Sequence, residues 1–260
     1  FGPKRRAGHT QKGNSQFHKL IQLHISSELE SMSSSIIASD NLNRLIKYLE
    51  GHAGRDKLVR LFQYASRFLG WWLLNNNNAD WAKRFQSVES SSSLARKYFR
   101  LLKSISHVQS AWRSYVQETD SVVKLTTVIQ NISLAMWLYY DHIILATKVG
   151  LLKIDVTNQS RRSNIFWLVA MVCGIFKSLY LLQLSQQLAS STQKQETLES
   201  LRKRQMDYLL EFFRNSFDVP IPLTNLNKSV SDAIPSGIVG LFGTISSLIG
   251  VYQVWSKTTK

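Results

Sequence analysis

The sequence predicts an all-α, membrane-associated protein with amphipathic helices at the membrane surface and one or two transmembrane helices. Its 260 residues include only 4 prolines and 12 glycines, and no long stretch alternates apolar and polar residues as strands do. Hydrophobic residues make up 44% of the chain, which is enough to bury a core. Two apolar stretches, at 164–184 and 233–256, are long enough to cross about 30 Å of hydrocarbon.

The chain is strongly basic, with 32 lysines and arginines against 17 aspartates and glutamates, for a net charge of +15. An anionic partner is therefore expected, with phosphate carried by lipid or by nucleic acid. Residues 233–256 contain no charge. A nucleic-acid binder has no use for such a stretch, so lipid is favoured and nucleic acid is not expected as a partner.

Residues that would indicate catalysis or metal binding are sparse. Cys173 is the only cysteine, which excludes an internal disulfide and a zinc site built from cysteines. The 6 histidines are scattered, and no HExxH, CxxC or GxSxG motif occurs. Asp141 and His142 are neighbours, but adjacent residues on a helix point about 100° apart and make a poor catalytic dyad, so a hydrogen-bonded structural role is expected. The sequence predicts a protein that is not an enzyme and has no cofactor.

The first segment, residues 1–35, is predicted to be a basic, flexible N-terminal extension. Residues 1–16 are polar and basic without hydrophobic periodicity, a short helix is possible at Phe17–Leu29, and 31–35 form a polar break. No secretory signal opens it, because Lys4, Arg5 and Arg6 precede polar residues rather than an apolar run. A mitochondrial presequence is a weaker alternative, since arginine is sparse there.

Residues 36–118 are predicted to form an amphipathic basic helical region on the membrane surface. In a helix starting near Arg55, one arc of about 120° is apolar, and the charged residues Asp56, Arg60 and Arg67 lie opposite it. This pattern favours insertion of the apolar face into a bilayer. A core-facing helix of a soluble bundle shows the same periodicity and remains the alternative. The predicted inserting residues are Leu58, Leu61, Phe62, Ala65, Phe68, Leu69 and Trp72.

A second basic helix is predicted to begin in the serine run 90–93. Apolar residues at spacings of four and three, from Leu94 to Tyr115, form a narrow seam that favours a partner helix. Basic side chains surround this seam, and they either contact phosphate or form a solvated face. Across both helices, the predicted contacts to lipid headgroups are Lys57, Arg60, Arg67, Arg96, Lys97, Arg100 and Lys103.

An apolar helical hairpin, partly embedded in the membrane, is predicted over residues 119–190. Its first helix carries Asp141, whose insertion would cost about 3 kcal/mol, so a buried or interfacial position is expected there. Its second helix, 164–184, contains Lys177 as the only charge and is predicted to span the bilayer.

The remaining chain is predicted to contain an amphipathic soluble helix and a proline-containing loop over 191–232, followed by a transmembrane helix over 233–256. Tyr252 and Trp255 lie near its end as interfacial anchors. Small residues four apart allow close helix approach and self-association in lipid, although a glycine-rich buried helix would look similar. The predicted packing residues are Ser236, Gly240, Gly243, Ser247 and Gly250.

Four blocks of sequence resemble the peroxin-11 family of peroxisomal membrane proteins, in the right order and with its fungal branch closest. The blocks are AGRDKLVRLFQYASRFL (53–69), SLARKYFRLLKSISHVQSA (93–111), SNIFWLV (163–169) and SGIVGLFGTISSLIGVYQVW (236–255). The resemblance covers roughly residues 40–257 and leaves the first 35 outside.

This resemblance implies a protein of the peroxisomal membrane that binds acidic phospholipid, elongates the membrane before fission and self-associates. It also implies work with a fission machinery of a dynamin-related GTPase and its adaptors, and no cofactor. The membrane-bending helix of the family corresponds to the block beginning at Arg55, and its second basic helix to Arg96 through Val108. Some members have been regarded as solute channels, so a pore for small anionic metabolites is the alternative. The polar residues Asp141, His142 and Lys177 within apolar helices agree with that alternative.

Overall fold

We describe the protein from a computed structural model, which covers residues 39–191 and 195–258. The predicted N-terminal extension, 1–35, lies outside the described residues. Within them, every regular element is a helix and no strand occurs. The helices are α1 (39–50), α2 (His52–Asn75), α3 (Ala79–Phe99), α4 (Lys103–Gln117), α5 (Ser121–Lys148), α6 (Val156–Ser191), α7 (Gln195–Asp218), α8 (Pro220–Leu226), α9 (Lys228–Ala233) and α10 (Ser236–Thr258).

Three of these helices are long and apolar enough to cross a membrane: α5 with 28 residues, α6 with 36 and α10 with 23. A residue in an α-helix rises about 1.5 Å, so even α10 exceeds the roughly 30 Å of a hydrocarbon core. The predicted all-α, membrane-associated class is confirmed. The number of candidate spans is three rather than one or two, because α5 also qualifies.

The second basic helix differs from its prediction at both ends. It begins at Ala79, directly after the asparagine run, where the Asn78 side chain accepts a hydrogen bond from the Trp81 amide at 3.4 Å. It then runs through the serines to Phe99. Leu102 adopts a left-handed conformation with φ of 60°, which interrupts the helix before α4 starts. The predicted seam from Leu94 to Tyr115 is therefore divided between two helices.

The proline-containing segment is helical, which corrects the prediction of a loop there. Helix α7 ends at Asp218, and Pro220 occupies the first turn of α8. Proline is tolerated at that position because the first amides of a helix need no partner within it. The side chain of Asn227 then accepts hydrogen bonds from the amides of Ser229 and Val230 and caps α9.

Neighbouring helices pack pairwise into a closed circuit. Helix α2 packs on α3 and on α10, α10 on α7, α7 on α6, α6 on α5, and α5 on α3. Helix α4 packs on α5. The α2–α10 pair is antiparallel, since Trp71 lies at Gly237, Phe68 at Gly240 and Lys57 at Gly250. This circuit surrounds an interior toward which α2 turns one long face.

Polar residues line much of that interior, while many large apolar residues lie outside. Asn215, Ser246 and Ser247 are almost fully buried, and so are the charged Asp56 and Arg60. In contrast, large apolar side chains on α4, α6 and the α5–α6 connection are more than 60% exposed, namely Ile105, Trp112, Leu151 and Phe176. A water-soluble bundle has the opposite distribution. The arrangement fits helices whose outer surface faces lipid and whose polar groups pair with one another inside.

Candidate functional site

The interior contains a cavity of about 430 Å³ lined by residues of α2 through α8. Most of its charged groups are basic. The lining carboxylates are Asp56, Asp141 and Asp218. The lining lysines and arginines are Lys57, Arg60, Arg67, Arg96, Lys97, Arg100, Lys103 and Arg214.

All seven residues predicted to contact lipid headgroups are thus brought together, but around this cavity. The charged face of α2 is turned into the bundle, where Arg60 is only 5% exposed. Arg96 and Arg100 are also buried. Contact between these seven residues and lipid headgroups stays a prediction. The buried arginines are not accessible from the outer surface of the bundle.

Two ion pairs connect the polar face of α2 to the neighbouring helices. The Arg60 guanidinium donates to Asp218 Oδ1 at 2.5 Å and to the Ser246 hydroxyl at 3.0 Å, which connects α2 to α7 and α10. Arg96 on α3 donates to Asp56 Oδ1 at 3.1 Å and to Gln63 Oε1 at 2.8 Å, both on α2. Burial raises the pKa of Asp56, but Arg96 and Arg100 outweigh that effect and lower it. These arginines are held in place by their partners.

A third cluster joins the end of α3 to α5. Asp141 accepts from the Lys97 ammonium and lies 2.8 Å from the Arg100 guanidinium, through Oδ2 and Nη2. The pairing explains how an apolar helix accommodates this aspartate, because a buried carboxylate is tolerated when basic groups compensate it. His142 lies with Nε2 3.0 Å from the Arg100 carbonyl oxygen, so Asp141 and His142 serve separate contacts, and not a shared dyad.

Lys57 and Lys103 differ from the other lining bases. Within the described residues, neither ammonium group forms an ion pair or donates a hydrogen bond. The stem of Lys57 lies against Gly250 of α10, where a Cβ would approach its Cδ to 3.0 Å. Burial, reinforced by the positive fields of Arg214 and Arg60, lowers the pKa of Lys57 to about 7. Burial also lowers the pKa of Lys103.

Two remaining arginines at the cavity have carboxylate partners outside its lining. Arg67 donates to Glu89 at 2.6 Å, and Arg214 donates to Glu211 at 2.5 Å and to Gln253 at 2.7 Å. The eight bases are therefore matched by five carboxylates, three on the lining and these two glutamates. The basic groups therefore exceed the carboxylates by three, and one of these groups, Lys57, is only partly protonated near pH 7.

The predicted membrane-inserting face of α2 lies on its outer side or half-buried. Phe62 and Trp72 are 60% and 49% exposed, and the other five residues are half-buried. Insertion of this apolar face into a bilayer stays a prediction. The opposite, polar face of α2 is buried in the protein interior.

The small residues of α10 face α2 of the same chain. A Cβ at Gly240 would lie 2.7 Å from the Phe68 backbone nitrogen, and one at Gly243 would overlap the Tyr64 ring. Gly250 and the buried Ser247 lie on the same side, whereas Ser236 is exposed. These contacts are between helices of one molecule, and self-association through the same residues stays a prediction.

Several residues of the site were not predicted from the sequence, among them Gln130, Arg214, Asn215 and Asp218. Asp218 and Arg214 lie on α7, which was predicted to be in water, so no signal pointed to a partner on α2. Within the described residues, no group of three histidine, cysteine or acidic side chains could hold a metal ion.

A separate feature lies on the outside of the bundle, on α4. Its buried side is Ala111, while Ile105, Val108, Trp112 and Tyr115 form an apolar row that is 52–67% exposed. The helix has 15 residues and spans about 22 Å, which is too short to cross a bilayer. Such a helix is typical of an element that lies along a membrane surface.

Comparison with known proteins identifies the family. The profile of Peroxisomal biogenesis factor 11 (PEX11) matches residues 42–255. Peroxisomal membrane protein 11 homolog of Dictyostelium discoideum is 25% identical, over 86% of this chain and 100% of its own length. Peroxisomal membrane protein PMP27 of Saccharomyces cerevisiae is 28% identical, over 86% and 98%. Peroxisomal membrane protein 11C of Homo sapiens is 28% identical, over 82% and 94%. No solved structure matches the chain.

The chain belongs to the PEX11 family, and the predicted resemblance is confirmed. The prediction that it resides in the peroxisomal membrane is confirmed with it. The family description names a role in peroxisome biogenesis.

Proposed function

We propose that this PEX11-family protein remodels the peroxisomal membrane, elongating it before division. The observation that supports this proposal is the exposed apolar row of α4, flanked by polar residues and held at the bundle surface by α5. An amphipathic helix that enters one leaflet by about 5 to 10 Å expands that leaflet relative to the other. An array of such helices bends the bilayer, with acidic phospholipid as the natural partner of so basic a chain.

In this proposal α4 replaces α2 as the principal wedge, because the polar face of α2 is engaged inside the bundle. Self-association would gather the wedges into an array, and division of the elongated membrane would fall to a fission machinery with a dynamin-related GTPase and its adaptors. The proposal assigns no catalytic step to the chain.

The test compares two variants, each with one negative charge added to the first turn of α4, one on its apolar face and one on its polar face. Ile105→Glu puts it in the apolar row, and Ser106→Glu puts it beside that row on the polar side, with both positions exposed. A charge on the apolar side costs a few kcal/mol on insertion, so Ile105→Glu should abolish tubulation of acidic liposomes by the purified protein. Ser106→Glu should leave it intact. Equal behaviour of the two variants would contradict the wedge.

A second candidate function is the passage of small anionic metabolites, and the basic cavity favours it. An interior whose basic groups exceed its carboxylate partners by three attracts anions, and an apolar exterior suits a bundle embedded in lipid. Conductance of the purified protein in planar bilayers tests this candidate. A reversal potential that follows the anion gradient is expected, and the absence of conductance would contradict passage without affecting the wedge.

A further inference from the structure

We propose that the basic cavity is a binding site for a small oxyanion carrying two or three negative charges, with the ammonium groups of Lys57 and Lys103 as its direct ligands. The inference names the ligand class of the cavity and rests on the second candidate function for its biological use. Binding itself requires no passage, so the two can be measured separately.

The charge of the ligand follows from the pairing of the lining residues. Six of the eight bases contact a carboxylate within the described residues, and one carboxylate, Asp141, serves both Lys97 and Arg100. The basic groups left over are therefore Lys57, Lys103 and one of the two at Asp141. The Lys57 amine is partly protonated near pH 7 in the empty cavity, and a bound anion would favour its protonated form. A monoanion would leave most of this excess in place, whereas a phosphate ester or a polycarboxylate would neutralise it.

The positions of the two lysines indicate one shared site. Lys57 lies on α2 and Lys103 at the start of α4, yet both line the same cavity, together with Asp56 and Arg214. The two side chains therefore approach one cavity from two helices. Arg60 and Arg96 are fixed by aspartates, while these two flexible side chains keep their donors available.

Keeping two ammonium groups without ion-pair partners at the cavity is costly to the protein. Both side chains are half-buried, and the lowered pKa of Lys57 reflects its partial loss of water beside Arg214 and Arg60. A bound oxyanion would accept hydrogen bonds from both amines and remove that penalty. A ligand thus accounts for two groups that the folded chain leaves without partners among its described residues.

The cavity is also of the size and composition that small molecules require. Its volume of about 430 Å³ falls within the roughly 300 to 1,000 Å³ of ligand pockets. Trp137 and Trp167, stacked with ring centroids 5.5 Å apart, contribute an apolar wall beside the basic groups. An organic anion could place its carbon skeleton there and its oxygens at the lysines.

The oxyanion could be carried by a soluble metabolite or by the headgroup of an acidic phospholipid, since both present the same chemistry. The experiment uses inorganic pyrophosphate as the probe, with acetate as a monoanion for comparison. Binding is measured by calorimetry on the full chain in nanodiscs of neutral phosphatidylcholine. Pyrophosphate is expected to bind at least tenfold more tightly than acetate.

Lys57→Met and Lys103→Met preserve side-chain length and remove the donor. Each should weaken pyrophosphate binding about tenfold or more, as expected when a charge-assisted hydrogen bond is lost. Lys203→Met is the matched control, because Lys203 is exposed on α7 and is not part of the lining. Circular dichroism checks that the variants fold. As a second measurement, pyrophosphate should raise the unfolding temperature of the parent and of Lys203→Met more than that of either cavity variant.

The two sources are separated by repeating the titration in nanodiscs that contain phosphatidic acid. Weaker pyrophosphate binding there would assign the site to a lipid headgroup, and unchanged binding would assign it to a soluble anion; either result supports the site. Equal affinities for pyrophosphate and acetate, or equal losses in Lys57→Met, Lys103→Met and Lys203→Met, would overturn it. Lysine-dependent binding without conductance would contradict passage alone, and conductance without such binding would overturn this inference alone.

Discussion

The guanidinium of Arg60 lies 2.5 Å from Asp218 Oδ1 and joins α2 to α7 inside the bundle. The two side chains are 6% and 7% exposed. Their separation in sequence is 158 residues, so this contact closes the fold over most of the described chain. Because this pair is buried, the charged face of α2 lies in the interior of the bundle and not at an aqueous surface.

Breaking this pair should destabilise the protein. Asp218→Ala leaves the buried Arg60 guanidinium with the Ser246 hydroxyl and the Tyr64 ring but without a carboxylate, and the loss of one partner from a buried pair costs about 3 to 5 kcal/mol. Asp232→Ala removes an exposed carboxylate and should change stability little. Chemical denaturation in detergent measures both. Similar stabilities of the two variants would mean that water reaches Arg60.

The arrangement shows what periodicity in the sequence can and cannot decide. The spacing of Leu58, Leu61 and Phe68 located the two faces of α2 correctly, because a helix fixes which residues share a side. It could not say which face is inside, since a soluble bundle buries the apolar face and a lipid-embedded bundle can bury the polar one. Partners such as Asp218, far away in sequence, decide that the polar face of α2 is the buried one.

Some other parts of the fold could be predicted from local sequence, and some could not. The long apolar stretches at 164–184, with Lys177 as its only charge, and at 233–256, which has none, predicted α6 and α10 by length and composition. Helix α5 was judged too costly as a span on account of Asp141, and the compensating Lys97 and Arg100 could not be identified from the sequence. The break at Leu102 also carries no local signal, because leucine seldom adopts a left-handed conformation.

The glycines of α10 should differ in their tolerance of alanine according to what they face. Gly240→Ala brings its Cβ to 2.7 Å from the Phe68 backbone nitrogen, which cannot move without shifting α2. Gly250→Ala meets the flexible Cδ of Lys57 at 3.0 Å, and it gains the same helix propensity of about 1 kcal/mol. Thermal unfolding in detergent should show that Gly240→Ala is the less stable variant. The reverse order would contradict the close α2–α10 packing.

Replacing Lys57 should stabilise the protein in a pH-dependent way. Its pKa is lowered to about 7 in the folded state, from about 10.4 when unfolded, so the unfolded chain binds more protons between these values. The penalty for holding the half-buried ammonium in its charged form is complete below pH 7 and disappears as the pH rises toward 10.4. Lys57→Met should therefore unfold at a temperature several degrees above the parent at pH 6 and close to it near pH 10.

The charges that face Lys57 define the control for that experiment. Arg214 and Arg60 lower its pKa, and Asp56 and Asp218 oppose them. Lys203→Met, at an exposed position, should give the same difference from the parent at every pH. A constant stabilisation by Lys57→Met from pH 6 to pH 10 would show that its ammonium is solvated in the folded protein.

Asp141 provides a prediction in which binding and stability change in opposite directions. Asp141→Asn keeps the shape of the side chain but leaves Lys97 and Arg100 without a carboxylate, which raises the excess of basic groups over carboxylates at the cavity from three to four. The variant should be less stable than the parent, since two cations lose their common partner. It should nevertheless bind pyrophosphate about five- to tenfold more tightly, because the attraction for an anion grows with each uncompensated charge.

Asp207→Asn removes a carboxylate from the exposed side of α7 and should alter neither property. Denaturation and calorimetry on the same preparations measure stability and affinity. If Asp141→Asn weakened pyrophosphate binding, the orientation that Asp141 gives to Lys97 and Arg100 would matter more than the excess charge. In that case the charge of the cavity would no longer explain which anions it selects.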